Sequence, residues 1–140
     1  MEAKEIEDIQ ALINMFFLFA EELIIKFGEF FPYAGATTLD GEFVSVGLQD
    51  EIKHLSSEEV INSLKASLKN GHEKYIVTAV FYEVSTTDAD TGEKQDAIGV
   101  FVEHNKGQKA YEFFYPYVLG GDDNFEVSES YGNAVPKEIF

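Results

Sequence analysis

Apolar residues recur at helical spacing from about Lys4 to Phe27. Ile6, Ile9, Leu12, Ile13, Phe16, Phe17, Ala20, Leu23, Ile24 and Phe27 share one broad stripe when each residue advances by about 100°. The pattern predicts a long amphipathic helix with Glu2, Glu5, Glu7 and Asp8 at its positive end and Gly28 as its stop. Ala11, Met15, Leu18 and Ile25 form a second apolar row on the opposite side, broken by Glu22. From Phe30 to Val46 the period becomes strand-like, with Asp40-Gly41 as the tight-turn signal of a hairpin. Ser56 and Glu59 have the spacing of a capping box, and Val60, Ile61, Leu64 and Leu68 continue at helical spacing to Asn70-Gly71. A second helix is therefore predicted over Ser57 to Lys69.

The remainder reads as a four-stranded antiparallel meander: Tyr75 to Thr86, Asp96 to His104, Lys109 to Val118 and Phe125 to Tyr131. The tail from Gly132 to Phe140 reads as loop, with Ile139 and Phe140 as residues that would pin it. Side chains alternate along a strand, so Ile98, Val100 and Val102 share a face, as do Tyr111, Phe113 and Tyr115. Pairing Val102 with Tyr111, Val100 with Phe113 and Ile98 with Tyr115 joins these apolar sets. A slip by one would set the aliphatics against Ala110, Glu112 and Phe114. The even pairing is predicted. The order α-β-β-α-β-β-β-β points to an α+β fold with both helices packed on one face of the sheet, in a single domain spanning 1–140.

Length and composition then bound the class. At 140 residues with 45% hydrophobic and 14% aromatic content, the chain can bury roughly two-thirds of its unfolded surface in one core. Ten basic against 26 acidic side chains give a net charge of −16. That field repels phosphate backbones and anionic headgroups, which argues against nucleic-acid and membrane partners. The absence of cysteine removes disulfides, thiolate metal sites and thiol catalysis. The acidic start MEAKEIEDIQ lacks the basic region of a secretory signal, so the reading is cytoplasmic.

Motifs for chemistry are scarce. The Asp88–Glu93 loop begins like a calcium loop, but Gly92, Glu93 and Gly99 occupy positions where an oxygen ligand, the turn glycine and the closing glutamate belong. It reads as a solvated turn. The glycines at 120 and 121 are surrounded by acid and followed by a strand, unlike a phosphate cradle. His54, His72 and His104 lack metal-ligand spacing. No catalytic, cofactor-binding or metal-binding residue is assigned, and no cofactor is implied.

Aromatic residues are the unusual concentration, at Phe30, Phe31 and Tyr33 and again from Tyr111 to Tyr117 around Pro116. Partly exposed tyrosines are characteristic of interfaces. Together with the strand-end carboxylates this gives a candidate partner-binding set of Phe31, Tyr33, Glu103, His104, Glu112, Tyr115 and Tyr117. The row Ala11, Met15, Leu18 and Ile25 is a candidate homodimer face through the first helix.

Gly28-Glu-Phe-Phe-Pro-Tyr-Ala-Gly-Ala with Asp40-Gly41-Glu42, then Asp96-Ala-Ile-Gly-Val ending in Glu103-His104, and Tyr115-Pro116-Tyr117, resemble a group of small uncharacterised bacterial α+β proteins. These share a leading helix, an E-F-x-P-aromatic hairpin and a D-A-I strand ending in E-H. The resemblance implies a soluble bacterial protein and names no reaction, so no functional role transfers.

Three functional readings follow. The first is a non-enzymatic acidic protein-binding module, of the inhibitor or immunity type, that neutralises a basic partner. Its warrant is electrostatic steering combined with aromatic anchors. The second is a small enzyme or ligand-binding domain with a carboxylate and tyrosine pocket near Glu103, Glu112 and Tyr115. The third is a self-associating structural protein.

Overall fold

The computed structural model describes residues 2–46, 56–87, 90–120 and 124–140. Helix α1 (Ala3–Phe27) ends where Gly28 takes φ 80° and donates its N–H to the Ile24 carbonyl at 2.8 Å. This left-handed position suits a residue without a Cβ. Strands β1 (Tyr33–Thr38) and β2 (Phe43–Val46) form the hairpin over Asp40-Gly41. Helix α2 (Ser57–Asn70) carries the complete capping box, with the Glu59 N–H donating to Ser56 Oγ at 3.1 Å and the Ser56 N–H donating to Glu59 Oε1 at 3.3 Å. A 3-10 turn (His72–Lys74) leads into β3 (Tyr75–Thr87), β4 (Lys94–His104), β5 (Ala110–Leu119), β6 (Phe125–Val127) and β7 (Tyr131–Val135).

All pairings are antiparallel, in the order β2-β1-β3-β4-β5-β6, with β7 also on β5. The β4–β5 register matches the derivation from sequence: Val102 faces Tyr111, Val100 faces Phe113 and Ile98 faces Tyr115. Joining apolar faces was enough to fix it.

Two expectations are corrected. The predicted last meander strand and the first part of the predicted tail loop are instead two short collinear strands, while the residues after Val135 are loop as expected. β6 pairs the C-terminal end of β5, with Leu119 opposite Phe125. β7 pairs the N-terminal half, with Phe114 opposite Tyr131 and Ala110 opposite Val135. Pro116 explains the break. Its carbonyl accepts from the Ser128 N–H at 2.7 Å, so this outer side of β5 is also where its missing N–H falls, and the ladder loses a rung there.

The second correction concerns the helices, which cover opposite faces rather than one. Val77, Ala79 and Phe81 of β3 and Ile98, Val100 and Val102 of β4 pack with Ile9, Leu12, Phe16 and Ile24 of α1. Val80 and Phe101 pack with Val60, Leu64 and Leu68 of α2. The apolar runs of β3, from Val77 to Phe81 with only Thr78 polar, and of β4, from Ala97 to Val102, supply the reason. A strand apolar on both faces requires two covers, and each helix provides one.

Close approaches tighten both layers. A Cβ at Gly35 would lie 2.6 Å from the Phe16 ring, and one at Gly99 would collide with the Tyr82 ring. These strand positions admit only hydrogen as long as the rings hold their places. Among the described residues, no helix is long and apolar enough to cross a membrane.

Candidate functional site

At its C-terminal end α1 extends past its buried contacts. Ile24 is fully buried, whereas Phe27, expected at the end of the core stripe, is 65% exposed. Phe19, Leu23 and Phe27 stand at successive four-residue steps on one side of the helix. After Gly28 the chain doubles back through Glu29, Phe30, Phe31 and Pro32 into β1. Between these walls, with Ser45 of β2, Ser57 of α2 and Glu83 of β3, lies an open cleft of about 780 Å³. Phe31 is 65% exposed at its rim and Phe19 is 47% exposed.

The floor is rigid. Tyr33 stacks on Phe81 with ring centroids 5.0 Å apart, meets Phe30 at 5.5 Å, and donates its hydroxyl to the Phe16 carbonyl at 2.6 Å. Burial pushes its ionisation well above the ordinary tyrosine range. Tyr33 is therefore a structural donor and not a free acid.

Glu83 supplies the polar group. Its Oε1 accepts the Phe30 N–H at 2.6 Å, which fixes the 29–33 segment. Desolvation, the dominant influence, raises its carboxyl above the ordinary value of 4.5 against the lowering effect of the Phe30 hydrogen bond, and like-charge repulsion from Asp96 and Glu29 adds to the rise. Among the described residues the ion pairs are Lys4–Asp8 and Lys65–Glu138, and Asp8 also faces His104, so none of these contacts involves Glu83 or Glu29. Lys26 packs its ammonium 5.6 Å from the Phe27 ring centroid.

The sequence-derived partner set does not assemble into one surface. Phe31 is exposed on the cleft rim and Tyr33 lies in its floor. Glu103 is fully buried beneath the tail, where its carboxylate accepts the N–H groups of Glu138 (2.9 Å), Ile139 (3.0 Å) and Phe140 (2.8 Å). His104 points to the other face. Its Nδ1 accepts from the Lys106 N–H at 3.1 Å, so Nε2 carries the proton that it shares with Asp8 at 2.8 Å. Asp8 is held below its ordinary value because hydrogen bonds from His104 and Lys4 overcome the upward push of desolvation.

Glu112 accepts from the Tyr82 hydroxyl at 2.7 Å. Burial first, and then this carboxylate, push the Tyr82 ionisation upward. Tyr115 packs edge-on against Phe17 at 5.1 Å, and Tyr117 is buried against Phe125 at 5.2 Å. Burial raises the ionisation of both, with the negative field of Glu83 and Asp96 adding to it at Tyr117. Of the α1 row, Ala11, Met15 and Leu18 are exposed and Ile25 is half-buried.

From sequence, Leu23 and Phe27 read as members of the core stripe of α1, and Phe19 and Glu83 carry no signal that marks them. The helical period places Leu23 and Phe27 on α1, but how far each is covered depends on where the sheet ends. His72 is bound through Nδ1 to the Lys69 carbonyl at 2.7 Å, and His54 lies outside the described residues. In the Asp88–Glu93 loop, Asp88 and Ala89 also lie outside them. Gly92 takes φ 73°, and Thr91 Oγ1 accepts from the Glu93 N–H at 3.3 Å, as in a turn. No cluster of His, Asp or Glu able to hold a metal occurs among the described residues. Compared with family models, curated proteins and solved structures, the chain matches none.

Proposed function

We propose that this protein is a non-enzymatic protein-binding module whose contact surface is the aromatic cleft at the end of α1. The observation that carries this reading is the exposure of Phe19, Phe27 and Phe31 together around one cleft; Phe43 and Tyr131 are exposed too, but neither lines it. Clustered exposed aromatics of this kind are the usual anchors of interfaces. The charge of −16 favours a basic partner through steering, the behaviour expected of an inhibitor or immunity-type protein. Partner capture from the native cell tests the reading. Wild type is expected to retain a basic protein in stoichiometric amount, and the Phe27→Ala/Phe31→Ala double variant to release it. A partner held equally by both proteins, or none held better than by an unrelated acidic protein, would overturn it.

A second reading, a small-molecule-binding domain, is supported by the cleft volume, which falls within the usual range of about 300–1,000 Å³ for ligand sites. Native mass spectrometry of the protein purified from its own cell would show a retained ligand of fixed mass if this reading holds.

A further inference from the structure

Resting on the protein-binding reading, we infer that the cleft takes a cationic side chain of the partner, with its charge against Glu83 and Glu29 and its stem across the phenylalanine rings. The geometry supplies both halves of such a receptor. Phe19, Phe27, Phe30 and Phe31 give ring surface, which attracts a desolvated cation through its negative face and packs against the methylenes of Lys or Arg. Glu83 and Glu29 place two carboxylates on the lining of the same cleft. Among the described residues neither has a cationic partner in this chain. Glu83 is oriented by the Phe30 N–H through Oε1, which leaves Oε2 to accept from an incoming guanidinium or ammonium. A second copy of the chain fits less well, because it brings another −16 to a cleft that already carries two acids.

The test uses the full chain, labelled for NMR, at about 150 mM salt so that the general field is screened. The probes are a peptide of about ten alternating Arg and Leu residues and the same peptide with citrulline for Arg. The Phe30 amide and the rings of Phe19, Phe27 and Phe31 report on the cleft.

The Arg peptide is expected to shift these signals and to bind about ten-fold more tightly than the citrulline peptide, as one well-placed charge contact allows. Glu83→Gln, which keeps an oxygen for the Phe30 N–H, is expected to reduce that preference to about two-fold or less. Glu29→Gln, at an exposed position, provides a second variant should the first fail to fold, and a clear drop in the preference is expected for it too. Equal binding of the two peptides in the cleft would overturn the cationic inference and leave the protein-binding reading standing. A preference for Arg unchanged in the variants would overturn the inference as well, because the field of the whole molecule would then be its source. Signals unmoved by either peptide would overturn both readings. A dimer in light scattering that Phe27→Glu dissociates would make a second copy the occupant and overturn the inference.

Discussion

Two glutamates on neighbouring strands, Glu103 of β4 and Glu83 of β3, meet opposite environments. Glu103 lies beneath the α2 face, fully buried, with three backbone N–H groups of the tail converging on it. Glu83 lies on the α1 face at an open cleft, with one backbone N–H and two like charges for neighbours. In the first region the polar group is satisfied within the chain and its role is structural. In the second, ring surface and carboxylate remain open to an outside group. Burial and hydrogen-bond saturation, more than residue type, separate the two.

The sharpest way to break this contrast is to remove Glu103. Glu103→Ala orphans donors at 138, 139 and 140 around the buried Ile139, and is expected to cost about 3–4 kcal/mol in urea unfolding. Hydrogen exchange should localise the loss to residues 136–140. Because Glu103 and the tail act as one unit, deleting 136–140 in the variant should cost less than deleting it in the wild type. Fully additive losses would show that the carboxylate does not hold the tail.

Next in size is the contact beneath Tyr82. Gly99→Val forces the ring away from β4 and, with it, the Tyr82 hydroxyl away from Glu112. The expected loss is about 1–3 kcal/mol, read by thermal unfolding. An unchanged melting temperature would mean that the ring moves freely, and the α2 layer would then be softer than the α1 layer.

These two regions also differ in how legible they were. The α2 boundaries follow from Ser56, Glu59 and the spacing of Val60, Leu64 and Leu68, all local signals. The β4–β5 register follows from matching two apolar faces close together in the chain. The role of Glu103 was hidden because its partners lie 35 to 37 residues further along, in a segment that reads as loop. The cleft was hidden for another reason. Phe27 continues the apolar period of α1 faithfully, and only the extent of the sheet beneath decides that it is uncovered. The placement of helices on both faces could be read in the run Val77-Thr78-Ala79-Val80-Phe81, whose two-sided apolarity carries more weight than element order.

A smaller effect is expected at Asp8, at the opposite end of α1 from the cleft. Its carboxyl is held below the ordinary value of 3.8 in the folded protein, so its contribution is present above that value and is lost as pH falls below it. Asp8→Asn should therefore destabilise the protein at pH 6 and converge with wild type in strong acid. Parallel stability curves across that range would show that the His104 and Lys4 contacts do not favour the charged form.

Glu83 has the reverse sign and the least effect. Its carboxyl is raised above 4.5, so the folded state holds the proton more firmly than the unfolded chain. The resulting penalty is absent where both states are protonated and sets in as pH rises through 4.5 towards the folded value. Because Glu83 is only half-buried, solvent screens most of this term. Glu83→Gln should shift stability by no more than about 0.5 kcal/mol at neutral pH, in the stabilising direction, and should converge with wild type in acid. A cost of several kcal/mol at neutral pH would place Glu83 in the same class as Glu103, a structural acceptor for the 29–33 segment. The contrast between a closed and an open carboxylate would then fail at its weaker side, because the cleft needs a carboxylate that the fold can do without.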